Sequence, residues 1–147
     1  MTVRRPHRSP ARRGAVAVEA AFVISIFLLF VFGIFEYGRV VMLYNLLVNA
    51  TREGGRYALV HSQDATVVAD VTTQVQQRLS IQVGQFTTLQ VSVYPTNNPT
   101  AALNTLNPDD PITVKVTGKF NTLLPSLLKL PPSITLTSAT VMTCEGN

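Results

Sequence analysis

Cysteine is almost absent: Cys144, three residues before the last, is the only one among 147. A single thiol cannot close an internal disulfide, so no disulfide framework organises this chain. Cys144 reads as a small apolar residue near the terminus. A lipid-bearing cysteine would instead follow an N-terminal signal, where the sequence has none. Histidine is nearly as scarce, with only His7 and His61. No metal-ligand spacing, nucleophile–base arrangement or glycine-rich phosphate loop can be assembled from what remains. Asp109 and Asp110 stand without further ligands nearby in sequence and read as a solvated turn. The chain is therefore expected not to be an enzyme, to hold no metal or cofactor, and to take no small-molecule substrate.

Acidic residues are missing from the first eighteen positions; Glu19 is the first. Five of the twelve basic residues lie ahead of it, at Arg4, Arg5, Arg8, Arg12 and Arg13. The other seven face eight acidic residues, so the remainder carries about −1. The pI near 9.6 is thus a property of a short basic leader. No basic stripe runs through the rest, and nucleic acid is not an expected partner.

Residues 1–14, with Pro6, Pro10 and their arginines, read as a disordered, solvated leader. The composition then switches. From Ala15 to Phe35 the chain is AVAVEAAFVISIFLLFVFGIF, with Glu19 its only charge. As a helix this segment is about 31 Å long, matching a bilayer hydrocarbon core of about 30 Å. A cleaved secretory signal also has a basic start. Its apolar region is shorter, though, and its small-residue cut site follows that region, whereas Gly14 precedes this one. The arginines place the N-terminus on the cytoplasmic side and the remainder outside.

Proline is missing from Glu36 to Tyr57, and the helix is expected to continue through them, as far as His61. Tyr37, Val40, Val41, Tyr44, Leu47, Val48 and Thr51 recur at three- and four-residue spacing and form the expected apolar face. Asn45, Asn49, Arg52, Glu53 and Arg56 cluster on another. Glu36 and Arg39, three apart, can pair on the helix surface or simply mark the membrane boundary. Gly54 and Gly55 signal close packing, a kink or fraying.

Residues 62–147 read as a small domain outside the membrane, able to fold without the helix. Asp64 is the expected N-cap of a helix over residues 65–79, with Val67, Val68, Val71, Val75 and Leu79 on one side. Leu89, Val91 and Val93 alternate with polar residues as a half-buried strand does, and so do Ile112, Val114 and Val116. Ile134, Leu136 and, less regularly, Ala139 and Val141 indicate a third strand. Residues 96–111 read as a loop. Leu123–Leu130 is either one helical turn or a loop capping the core. The expected fold is α+β: a long N-terminal transmembrane and amphipathic helix (residues 15–61), then about three antiparallel strands with one or two helices against one face.

The informative element is the junction Arg12-Arg13-Gly14-Ala15-Val16-Ala17-Val18-Glu19. A charge at the bilayer centre costs about 2.5 to 3.5 kcal/mol on insertion scales. Glu19 lies nearer the edge and costs less, but it still calls for a partner. A cut after Gly14 would supply one, the free α-ammonium of Ala15.

This junction resembles the prepilin cleavage site of type IV pilins and pseudopilins. The resemblance implies that a membrane peptidase cuts between Gly14 and Ala15. It also implies that Glu19 pairs with the N-terminal amine of a neighbouring subunit. The run from Gly14 to Phe22, Phe32 to Arg39, Asn49 to Ala58 and the closing Ile134 to Met142 is similar to the TadE-like family, pseudopilins of the tight-adherence pilus assembly system. The expected partners are the lipid bilayer, a prepilin-type peptidase, other pilin-like subunits and the assembly machinery. The expected location is the bacterial inner membrane, single-pass. Major pilins of that system tend to carry tyrosine after the glutamate, where this chain has Ala20, and they are shorter. An accessory subunit, active in pilus assembly or secretion, is therefore the expectation. The alternative is a generic single-pass protein whose outer domain binds a partner.

Overall fold

The computed structural model describes residues 10–79, 83–101, 103 and 110–143. Residues 1–9 of the leader, Asp109 and Cys144 lie outside them. Helix α1 spans Pro10–Val60, 51 residues without a break. The end of the expected disordered leader is therefore helical, and α1 carries the Gly14–Ala15 bond inside it. Pro10 fits at its start, because proline is tolerated in a helix's first turn, where its missing N–H has no partner to lose.

The remaining elements are α2 (Val67–Leu79), a short 3-10 turn (Val83–Gln85), β1 (Phe86–Pro95), β2 (Ile112–Asn121), α3 (Pro125–Leu128) and β3 (Ser133–Met142). The strands form one antiparallel sheet in the order β1-β2-β3. The expected α+β arrangement is what the chain adopts. Asp64 is not the cap of α2: that helix starts later, and Thr66 precedes it, its hydroxyl donating to Asp70 Oδ2 at 2.8 Å.

One sheet face is covered by the C-terminal half of α1, over β2 and β3, and by α2, over β1. Central strand β2 sends Val114, Val116, Gly118 and Phe120 into that layer and turns Lys115 and Lys119 outward. On α2, Val67, Val71, Val75 and Leu79 are buried. From α1 come Leu43, Leu47, Ala50 and Ala58, none more than 2% exposed. The core therefore draws on both sides of the boundary expected at residue 61, and the upper part of α1 belongs to the folded unit. Burying each Leu or Val contributes about 1.5 to 3 kcal/mol, so α1 is integral to its stability.

The face α1 buries is the expected one only in part: Leu47 and Thr51 are buried and Val40 packs against the core, but the tyrosines are not. Tyr37 is 72% exposed and Tyr44 45%. The packed face reads Glu36, Leu43, Leu47, Ala50, Thr51, Gly54 and Ala58. Close approach is the reason. A Cβ on Gly54 would stand 2.8 Å from Val75 Cγ2, and one on Gly55 2.9 Å from Thr140 Cγ2. Of the three readings of this glycine pair, close packing holds. In β3 the inward positions are Ile134, Leu136, Ser138, Thr140 and Met142, in strict alternation. Ala139 and Val141 face outward instead, Val141 at 56% exposure.

Candidate membrane anchor and assembly site

From Gly14 upward α1 is long and apolar enough to cross a membrane, and none of its most apolar stretch is buried against the protein. Phe22, Phe27, Phe30, Ile34 and Phe35 are each more than 60% exposed. A helix apolar all round is stable only where something apolar covers it. Its one hydroxyl in mid-span is satisfied locally: Ser25 donates to the Ala21 carbonyl at 2.8 Å. Such back-bonding is what a polar side chain needs in hydrocarbon.

Gly14, Ala15 and Glu19 lie on this helix and are exposed. A Cβ on Gly14 would meet nothing within 4 Å. Packing therefore does not explain a glycine there, although glycine weakens a helix by about 1 kcal/mol relative to alanine. Ala15 and Glu19 are four residues apart, about 6 Å along the axis. The helix brings them to one face, yet Glu19 has no ion-pair partner among the described residues.

A second cluster sits where α1 leaves the span. Glu36 is 3% exposed. Its Oε1 accepts from Arg39 Nη2 at 3.0 Å and from the Leu123 backbone N–H at 3.3 Å. Arg39 also donates to the Asn121 carbonyl and, at 3.4 Å, to Gln85 Oε1, and its guanidinium lies 5.2 Å from the Phe120 ring centroid. Only its Nε, buried, lacks a hydrogen-bond partner. The expected pairing three residues apart forms, but largely out of water rather than on an open helix surface. It fastens α1 to the end of β2 and the turn after it.

The other candidate residues have structural surroundings. His61 stacks on Tyr57 at 4.1 Å between ring centroids, just past the end of α1. Among the described residues no three His, Cys, Asp or Glu side chains cluster as metal ligands would.

Residues 14–56 match the family model described as TadE-like protein. The match begins at Gly14 and takes in the span, Glu19, Glu36, Arg39 and both packed glycines. It agrees with the family that the junction resembles. No curated protein and no solved structure matches the chain.

Proposed function

From this TadE-like segment, which starts at the glycine ahead of an apolar helix, we propose that the protein is a pseudopilin or minor pilin of a tight-adherence pilus or secretion system. Its role is structural rather than catalytic. It is held in the bacterial inner membrane by residues 15–35, with the N-terminus cytoplasmic and the domain outside. The leader arginines support that orientation, because basic residues stay on the cytoplasmic side. A prepilin-type peptidase cuts between Gly14 and Ala15.

The observation that carries this reading is Glu19: a lone carboxylate without an ion-pair partner among the described residues, on an exposed apolar helix, five residues after Gly14. Processing turns Ala15 into an ammonium group. Carboxylate and ammonium are each costly in or near hydrocarbon, and each offers the other a charge-assisted hydrogen bond. Within one helix the amine sits in the first turn, facing along the axis. Between neighbouring subunits the two groups meet and fix axial register.

The test is Glu19→Ala, followed by cross-linking to pilin-like partners in membranes. Insertion and cleavage should persist, since the substitution removes a charge from the span. Association should weaken by about 1 to 3 kcal/mol, the worth of a charged hydrogen bond. Co-assembly at the parental level would make the carboxylate a bystander and remove the mechanism's physical basis.

A further inference from the structure

The segment Leu123–Leu130, LLPSLLKL, holds five leucines and one charge, Lys129. It does not cap the core: no residue of α3 is buried. Leu123 is 57% exposed, Leu127 48% and Leu130 36%. Single exposed leucines are ordinary on a protein surface, but a contiguous cluster marks a surface that something covers.

Two contacts fix the height of this cluster along α1. Leu123 N–H donates to Glu36 Oε1 at 3.3 Å. Leu128 Cδ2 lies 4.0 Å from where a Cβ on Gly33 would stand. Gly33 is inside the apolar span and Glu36 is the first residue beyond it. Both contacts therefore sit at the end of the hydrocarbon-length segment, where the headgroup region adds only about 5 to 8 Å on each side. From this height outward Ile34, Phe35, Gly38, Arg39 and Met42 line an open, largely apolar groove beside Gln85. The exposed leucines thus continue the lipid-facing surface of the helix outward onto the domain.

We infer that the α3 segment is a second membrane contact, inserted into the interfacial region of the leaflet on the domain's side. This rests on the span crossing a bilayer, as proposed above. The segment is built for that setting. Its backbone is closed by a short helical turn, with Pro125 in its first turn and Lys129 ending it in the left-handed region at φ 54°. The Leu128 N–H donates to the Leu124 carbonyl and the Leu130 N–H to the Pro125 carbonyl. These bonds reduce the backbone polarity that would oppose insertion. Lys129, exposed, suits the headgroup level, where long cationic side chains reach phosphate while their stems stay apolar. A helix alone can swivel and tilt in the bilayer. A helix with a leucine patch beside it has one preferred face toward the membrane and one preferred height.

Site-directed spin labelling of the full chain tests this, in a Cys144→Ser background reconstituted into phosphatidylcholine–phosphatidylglycerol vesicles. Labels go on Leu123→Cys, Leu127→Cys, Phe27→Cys as the in-membrane reference and Thr137→Cys as the water reference. Oxygen and a water-soluble nickel chelate compete as relaxation agents. Leu123 and Leu127 labels should show at least a threefold lower nickel-to-oxygen accessibility ratio than Thr137, approaching the Phe27 value. Leu127 as open to nickel as Thr137, with Phe27 shielded, overturns the inference and leaves the anchor standing. Phe27 open to nickel sinks the anchor itself. Shielding of Leu127 that disappears as the lipid-to-protein ratio is raised, while that of Phe27 persists, would show contact between copies instead and also overturn it.

Discussion

Arg39 Nη2 donates to Glu36 Oε1 at 3.0 Å, and both side chains are largely out of water, 13% and 5% exposed. The pair is one helical turn long, yet its other contacts reach Gln85, Phe120, Asn121 and Leu123. It joins α1 to the domain at the height where the apolar run ends.

Breaking that pair from one side should destabilise more than replacing both partners. Glu36→Ala or Arg39→Ala strands a mostly buried charge, and such changes cost about 3 to 5 kcal/mol. The double change Glu36→Leu with Arg39→Met exchanges the pair for apolar volume and should recover most of that loss. Thermal unfolding in detergent, followed by near-ultraviolet circular dichroism, reads the difference. Equal losses in single and double variants would mean that the pair's packing, not its charge balance, matters.

The core crosses residue 61, so truncation there should fail. Residues 62–147 lack Leu43, Leu47, Ala50 and Ala58 and should show no cooperative unfolding. Residues 36–147 retain them and should unfold cooperatively in urea. A cooperative transition of the shorter fragment, matching the longer one in midpoint, would refute the shared core.

Glycine positions should separate sharply. Gly54→Val pushes side-chain carbon into Val75 and Val71 and should cost at least about 1 to 3 kcal/mol through overpacking. Gly14→Ala meets nothing within 4 Å and should leave stability unchanged or slightly raised, since alanine favours helix by about 1 kcal/mol. Denaturant midpoints compare the two, and similar losses at both sites would contradict the packing described for α1.

The span, the three strands and α2 are legible in sequence because each rests on a pattern that needs no partner: an unbroken apolar run, alternation, or a valine stripe. The buried face of α1 is legible only in part, at Val40, Leu47 and Thr51. Tyr37 and Tyr44 carry the periodic hydrophobicity, but Gly54, Gly55, Ala50 and Ala58 carry the contact, because only small residues let the helix approach α2 and β3. Hydrophobicity does not register a glycine as a packing residue. Ser138 and Thr140 evade the β3 pattern similarly, being polar yet turned inward. Glu36 looked like a boundary charge because its backbone partner, Leu123, is 87 residues away. At the proposed assembly site, Gly14 and Glu19 stand out from sequence alone, since a glycine and a lone acid are conspicuous against arginines on one side and apolar residues on the other.

The processing step is tested most directly by the intact mass of the membrane-extracted protein after co-expression with a prepilin-type peptidase. The account predicts a product beginning at Ala15, and retention of the longer basic precursor when Gly14 is replaced by leucine. A mature protein that still begins at Met1, or one whose mass is the same with and without Gly14→Leu after correcting for the substitution, would contradict it.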